Sequence, residues 1–395
     1  MNDGFHYDAA GEADLPAVAR ILSDAFAGPL AGSTDWARMH APGSLRVLRD
    51  APGAPPAACL VRIPMGQWFG RRRVPMVGIA GVGVRHERRG AGLARRMMAA
   101  CIRDLAAEGV ALSTLYASTR PLYRSVGYEA AGSRYRYAVP IEKFAGDRAA
   151  ATLRELTRDD DAAIAACYDA CAADQNGVLD RGAYCWQRVW KFREDEFRGF
   201  GAWSPAGQLD GYVMIHQKRN PEFGKHDVLL SDIAASSPAA WAALRAFIAG
   251  FGTMGDRVIW YGGATHPLYT ALAHPWGTVE LHEPWMTRVV SVPAALNARG
   301  YDPGVRARAC FEVADDLVES NRGTWTLEVE GGRGAASRGG SPGAKVSIRG
   351  LAAIFTGYLT PCDAVLAGLC EGDAATLTAL RSIFAGPSPW MGDFF

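Results

Sequence analysis

Val82-Gly83-Val84-Arg85-His86-Glu87-Arg88-Arg89-Gly90-Ala91-Gly92-Leu93-Ala94 reads as a strand end, a turn rich in Gly and Arg, and the start of a helix. From Ala91 to Ala107 the apolar residues Leu93, Met97, Cys101 and Leu105 recur every fourth position, which marks an amphipathic helix. A helix that begins at such a turn points the free N–H groups of its first turn at one spot, and their partial positive charge attracts an anion. Glycines there remove the Cβ atoms that would keep a pyrophosphate from the backbone. The stretch is neither G-x-x-x-x-G-K-S/T nor G-x-G-x-x-G after a first strand, so NTPase and dinucleotide loops are set aside.

Working outward, Val74–Val84 is an almost uncharged β-rich run. Ser44–Asp50, Ala58–Met65 and Ala111–Tyr116 read as strands, and Arg120–Gly127 as a turn or short helix. Asp14-Leu15-Pro16 opens a helix that runs to about Phe26. Pro140–Arg148 is polar and reads as a boundary. Beyond it comes a second α/β stretch, with a helix at Asp160–Ala172, strands at Leu209–Gln217 and Val228–Ala234, and a helix at Ala239–Phe251. A third unit starts near Arg288. In it Thr324–Glu330 and Ala344–Arg349 suggest a solvated hairpin around a mobile loop, Gly331–Gly343, and Gly350–Tyr358 and Ala374–Ala385 suggest short helices. The chain ends Trp390-Met391-Gly392-Asp393-Phe394-Phe395, aromatic enough to imply a docked terminus.

The 395 residues carry 42 Lys plus Arg against 41 Asp plus Glu, a formal charge of +1 that gives no reason to expect nucleic acid or an anionic membrane as partner. No stretch reaches the ~18 apolar residues of a membrane-spanning helix, and the N-terminus lacks a signal-peptide pattern, so a cytoplasmic protein is expected. The cysteines form no C-x-x-C pair and the histidines no H-E-x-x-H, so no metal is expected.

Arg89-Gly90-Ala91-Gly92-Leu93-Ala94 matches the R/Q-x-x-G-x-G/A signature of the GNAT acyltransferases, and Val82-Gly83-Val84 matches the splayed strand before it. Ser118-Thr119-Arg120-Pro121-Leu122-Tyr123-Arg124-Ser125-Val126-Gly127-Tyr128 is similar to that family's next element, in which a Tyr precedes an F/V-G-Y sequence. A GNAT unit, a second α/β unit, a carrier-like unit and a final Phe together resemble the Eis (enhanced intracellular survival) acetyltransferases. The resemblance implies an α/β (α+β) protein: tandem GNAT folds, each a mixed twisted sheet with flanking helices, then a sterol-carrier-like α+β domain. It divides the chain into a catalytic GNAT domain (1–140), a degenerate GNAT-like domain (141–287) and the carrier-like domain (288–395). It also implies a hexamer.

By that resemblance, Val82, Gly83 and Val84 pair with the pantetheine arm of acetyl-CoA, and Arg89, Gly90, Ala91, Gly92, Leu93, Ala94 and Arg95 hold its pyrophosphate. Ser118 and Thr119 contact the cofactor from the neighbouring strand, Tyr123 is the general acid, and the α-carboxylate of Phe395 is the general base. Phe26 and Trp36 line the acceptor cleft. Asp393 and the Phe395 carboxylate together give negative potential that selects polyamine substrates, and Phe394 occupies a place where some family members carry an acid. The central stretch follows its strand with Ala235-Ser236-Ser237-Pro238, without Arg or glycines, so one acetyl-CoA per chain is expected. The activity expected is acetylation of a primary amine on a small cationic molecule such as an aminoglycoside. Acetylation of protein lysine, lipid carriage by the third unit, and coenzyme-A sensing without catalysis are the alternatives.

Overall fold

A computed structural model describes residues 4–40, 43–144, 153–220 and 224–395. The boundary expected at 140–148 therefore lies partly outside the described residues, and so does Met1.

The first stretch supplies strands β1 (His6–Ala9), β2 (Leu45–Arg49), β3 (Ala58–Phe69), β4 (Arg72–Val84), β5 (Leu112–Tyr116) and β6 (Glu129–Pro140). The second supplies β7 (Leu153–Leu156), β8 (Leu179–Asp180), β9 (Lys191–Phe192), β10 (Asp195–Glu196), β11 (Arg198–Trp203), β12 (Leu209–Arg219), β13 (His226–Ala235), β14 (Gly255–Gly262) and β15 (Thr278–Val289). All but β9 and β10 join one 13-stranded sheet in the order β1-β2-β3-β4-β5-β15-β6-β14-β13-β12-β11-β7, with β8 paired to β3. The two stretches exchange strands. β15 lies between β5 and β6, and β6 lies between β15 and β14.

Helices α1 (Leu15–Phe26), α2 (Leu30–His40), α3 (Leu93–Ala107) and α4 (Arg120–Arg124) flank the first half of the sheet. Helices α5 (Asp161–Ala172), α6 (Ala183–Trp190), α7 (Pro238–Ala249) and α8 (Pro267–Thr270) flank the second. The stripe read from the sequence anchors α3: Leu93, Met97, Cys101 and Leu105 are buried, joined by Met98 and Ile102. Burying each such Leu, Met or Ile side chain is worth about 1.5–3 kcal/mol. None of these helices is long and apolar enough to cross a membrane.

The third unit has a sheet ordered β18-β17-β16-β19-β20, from β16 (Ala307–Ala314), β17 (Gly323–Glu330), β18 (Arg333–Arg338), β19 (Ala344–Ser347) and β20 (Cys370–Gly372). Helices α9 (Val292–Ala298), α10 (Ile348–Thr356), α11 (Pro361–Leu366) and α12 (Ala374–Ile383) accompany it. The expected hairpin is corrected here. Thr324–Glu330 does not pair with Ala344–Arg349; β17 pairs with β18, inside the supposed loop, while β19 runs parallel to β16. Gly331 and Gly332, at φ +56° and +77°, form the two-residue turn between Glu330 and Arg333. Both central residues at positive φ is the geometry of a type I′ hairpin turn.

One buried ion pair ties this unit to the large sheet. Arg288 of β15 donates to both carboxylate oxygens of Asp315, at 2.8 and 2.7 Å, and to the Val126 carbonyl at 2.7 Å. Both side chains are 1% exposed. The Asn321 amide and the backbone N–H groups of Leu317 and Val318 complete the carboxylate's partners. Burial pushes the Asp315 carboxyl up, but Arg288 and these hydrogen bonds outweigh it and hold the pKa below the usual value.

Candidate active site

Strands β4 and β5 run parallel only from Met76↔Leu112 to Gly78↔Thr114, although β4 continues to Val84 and β5 to Tyr116. Past that point they separate and leave an open edge on β4. Opposite Leu60 of β3, Gly81 and Val82 both occupy the space of one residue. This is a β-bulge, and Gly81 adopts φ +60° to make it. The extra residue flips the pleat. Before it Val74, Met76 and Ala80 face the α1 side, and Val77 and Ile79 the α3 side. After it Gly83 faces Ile21 and Ala25 on α1, while Val82 and Val84 face the α3 side.

The Arg85–Gly92 turn follows. Gly90 and Gly92 sit at φ +81° and +75°, and nothing lies within 4 Å of where a Cβ would stand on either. Gly92 is the N-cap of α3 and no side chain caps it. The first-turn N–H groups of Leu93, Ala94 and Arg95 are thus directed at solvent beside exposed Arg89 and Arg95. That cradle fits a pyrophosphate. Gly92→Glu should fill it and repel an anion, lowering acetyl-CoA affinity at least about tenfold at a strain of ~1–2 kcal/mol from the left-handed backbone. Calorimetry on a protein shown to be folded checks this; unchanged affinity would refute it.

Tyr123 lies on α4, just after β5, and is 4% exposed. Burial pushes its phenol above the ordinary tyrosine value, partly offset by a hydrogen bond from Ser118. Thr119 is the N-cap of α4. Tyr128, whose ring meets Tyr123 edge-on at 6.1 Å, is tied by its hydroxyl to Ser113 at 2.6 Å.

The chain end is docked, as its composition implied. Trp390 N–H donates to the Asn176 carbonyl at 3.0 Å, and Met391 N–H to the Ser133 carbonyl at 3.2 Å. Arg134 donates to Gly392 O at 3.0 Å, and the Tyr116 hydroxyl to Asp393 O at 2.6 Å. Phe395 is 7% exposed, and its ring lies over Gly78, so close that a Cβ there would stand 2.7 Å from it. Gly78 is the last β4 residue before the strands separate, which puts the terminal residue at the mouth of the splay. The Trp36 ring covers the bulge glycine Gly81 in the same way, and its indole N–H donates to the Tyr184 hydroxyl at 3.2 Å. Phe26, by contrast, is 60% exposed.

The potential expected of Asp393 needs correction. Its carboxylate is 12% exposed and accepts from Arg181 at 2.9 Å, a guanidinium it shares with Asp232, so it belongs to an internal ion cluster rather than standing as a free charge. Arg181, Arg134 and Tyr116, which hold the tail, were missed by sequence reading. Nothing local distinguishes Arg181 among the many arginines.

A cavity of about 570 Å³ adjoins the tail at Phe394, with Cys185, Arg188 and Phe192 on its far wall. A second, of about 440 Å³, shares Leu230, Ser231, Tyr261, Gly392 and Asp393 with the first and extends to Trp241, Trp260 and Trp390. Phe26 and Trp36 line neither.

Residues 6–131 match an acetyltransferase (GNAT) domain, residues 177–289 match another acetyltransferase (GNAT) domain, and residues 292–392 match a sterol carrier protein domain. An uncharacterized N-acetyltransferase of Streptomyces avermitilis is 28% identical over 349 residues, 82% of each chain. The GCN5-related N-acetyltransferase of Anabaena variabilis superposes with a TM-score of 0.93 at 30% identity, over 99% of this chain and 100% of that one. Eis1 of Mycobacterium abscessus shares the fold, with a TM-score of 0.79 at 20% identity over 99% and 100% of the two chains. The chain belongs to the GCN5-related N-acetyltransferases, in the Eis-like form of two GNAT domains followed by a sterol-carrier-like domain.

Proposed function

We propose that this N-acetyltransferase uses acetyl-CoA to acetylate a primary amine on a small cationic molecule, an aminoglycoside or another amine antibiotic. One observation carries the reading: the uncapped α3 turn and the docked chain end both lie at the separation of β4 from β5, and the helix that carries Tyr123 follows directly on β5. Acetyl-CoA supplies an activated thioester carbonyl. Val82–Val84 offer the open strand edge to its pantetheine arm, Arg89–Arg95 the cradle for its pyrophosphate, and Ser118 and Thr119 the opposite wall. The acceptor meets the thioester at the chain end, where the Phe395 ring lies over Gly78 and Trp36 covers the bulge.

The amine nitrogen attacks the thioester carbonyl, a C–N bond forms and the C–S bond breaks. Tyr123, kept protonated by burial, gives its proton to the departing sulfur. The Phe395 carboxylate anchors the cationic amine, which releases one proton to solvent to free its lone pair; the carboxylate takes the second proton late, as the C–N bond forms, since its reference pKa of ~3.3–3.7 lies far below the ~10.4 of an alkylamine. Residues 1–140 form the catalytic unit in this reading, 141–287 a degenerate one without a cofactor, and 288–395 the unit that delivers the terminus. Ser237 caps α7 and Pro238 lacks an N–H, which supports one acetyl-CoA per chain. We place the reaction in the cytoplasm and the chain in a hexamer, on the family resemblance.

Thiol release tests this, measured across aminoglycosides, other amine antibiotics, polyamines and lysine peptides. Residues added after Phe395 move the carboxylate by ~3.3–3.6 Å each, and turnover should fall at least about tenfold while acetyl-CoA still binds. An N-terminal tag is the control. Equal turnover by the two proteins would return the base role to water, and turnover with lysine peptides alone would replace the acceptor class.

A further inference from the structure

The second half of the sheet repeats the geometry of the first. Strands β13 and β14 run parallel only as far as Leu229↔Ile259, then separate, as β4 and β5 do. After β14 comes His266-Pro267-Leu268-Tyr269, echoing Arg120-Pro121-Leu122-Tyr123 after β5. The 440 Å³ cavity opens in this second splay, between Asp232 beyond Leu229 and Trp260 and Tyr261 beyond Ile259. Its anion-binding part is gone, because Ser237 accepts from Ala240 N–H and closes the start of α7.

What remains has two properties. The first is an excess of negative charge. Asp232 and Asp393 share one guanidinium: Arg181 reaches Asp232 at 2.5 Å and Asp393 at 2.9 Å. The three side chains are 10, 12 and 4% exposed, so two buried carboxylates share one guanidinium; the Tyr212 hydroxyl also donates to Asp232 at 2.5 Å, and burial pushes the Asp393 carboxyl up. Arg134, the next cation, is paired with Glu283. The second property is an aromatic lining: Trp241 and Trp390, with Trp260 stacked on Tyr137 at 4.7 Å and Tyr261 already under the Arg134 guanidinium at 3.6 Å. Trp260 is 1% exposed, and its indole N–H has no hydrogen-bond partner. A buried donor without a partner costs about 1–3 kcal/mol, which an acceptor atom of a ligand would recover. His266, held neutral by burial with its pKa lowered to about 4, adds no repelling charge.

We propose that this cavity binds an organic cation, an ammonium or quaternary ammonium group on a compact body with a hydrogen-bond acceptor, separately from the acceptor amine of the acetylation reaction. Carboxylate excess and aromatic faces are the features that hold such cations. The site does not depend on which amine is acetylated or on the role of Phe395.

Carbamoylcholine, a quaternary ammonium that cannot be acetylated at nitrogen, is the probe, with 3,3-dimethylbutyl carbamate as its neutral isostere. Calorimetry without acetyl-CoA should show the cation binding at least about tenfold more tightly than the isostere. Trp241→Ala should weaken it at least about fivefold. Phe192→Ala, in the wall of the 570 Å³ cavity, should leave it unchanged. Equal binding of the isostere, no binding of the cation, or loss in Phe192→Ala alone would each overturn the proposal. The N-methyl proton resonance of carbamoylcholine bound to the wild-type protein gives a reading independent of any variant. Aromatic walls shift it upfield; an unshifted resonance overturns the proposal.

Discussion

Tyr123→Phe should lower kcat by about 10²–10⁴-fold, the range in which a positioned general acid contributes, while acetyl-CoA affinity stays as in the wild type. The substitution keeps the ring, which is packed beside Tyr128 and the first turns of α3, and removes only the hydroxyl that Ser118 holds. Because burial raises the phenol above the ordinary value of ~10, Tyr123 stays protonated through neutral pH. Wild-type turnover should then show no alkaline decline from this group until above that value. Steady-state thiol release against pH, with calorimetry for the coenzyme, measures both effects. A loss below about threefold would make Tyr123 a packing residue whose proton water can supply.

Asp315→Ala should destabilise the folded protein by about 3–5 kcal/mol, the cost of leaving a buried partner charge uncompensated. Arg288 is 1% exposed, donates to Val126 and Asp315, and has no second carboxylate among its described hydrogen bonds. The urea midpoint should fall accordingly. Replacing both partners, Arg288→Met with Asp315→Leu, should recover much of the loss, because burying two apolar groups spares the desolvation that the ion pair requires. The carboxyl pKa is lowered on folding, so the pair stabilises at pH above the unfolded value of ~3.9 and loses that contribution as pH falls through the lower native value. A double variant no better than Asp315→Ala would show that packing, not charge, sets the cost.

The elements around the turn before α3 were legible because their signals are local. Gly90 and Gly92 punctuate, the Leu93–Leu105 stripe has helical period, and Pro16 sits in the first turn of α1. Other parts were hidden for identifiable reasons. Helix α2, which carries Trp36, contains Gly32, Ser33 and Thr34 and has no clean apolar stripe. Strand β18, Arg333-Gly334-Ala335-Ala336-Ser337-Arg338, is an exposed edge whose composition imitates a loop. Gly331-Gly332 was the available signal for its hairpin. Of the proposed site, Tyr123 and the turn could be named from motif spacing. The Asp393–Arg181 pair could not, since its partners lie 212 residues apart and nothing local selects one arginine from another. The second cleft did leave a trace in the repeated Pro-Leu-Tyr.

The exchange of β6 and β15 bears on how the molecule comes into being. A ribosome releases β5 and β6 long before β15, the strand that must lie between them, has been made. Until residues 278–289 emerge, the first half waits with an unfilled gap in its sheet and two unpaired strand edges, the kind of surface that recruits wrong partners. The half that appears first in translation is therefore finished only when the other half is nearly complete. Neither half completes its sheet alone, since the end of the sheet that holds the β4–β5 separation takes its neighbouring strand from the other half.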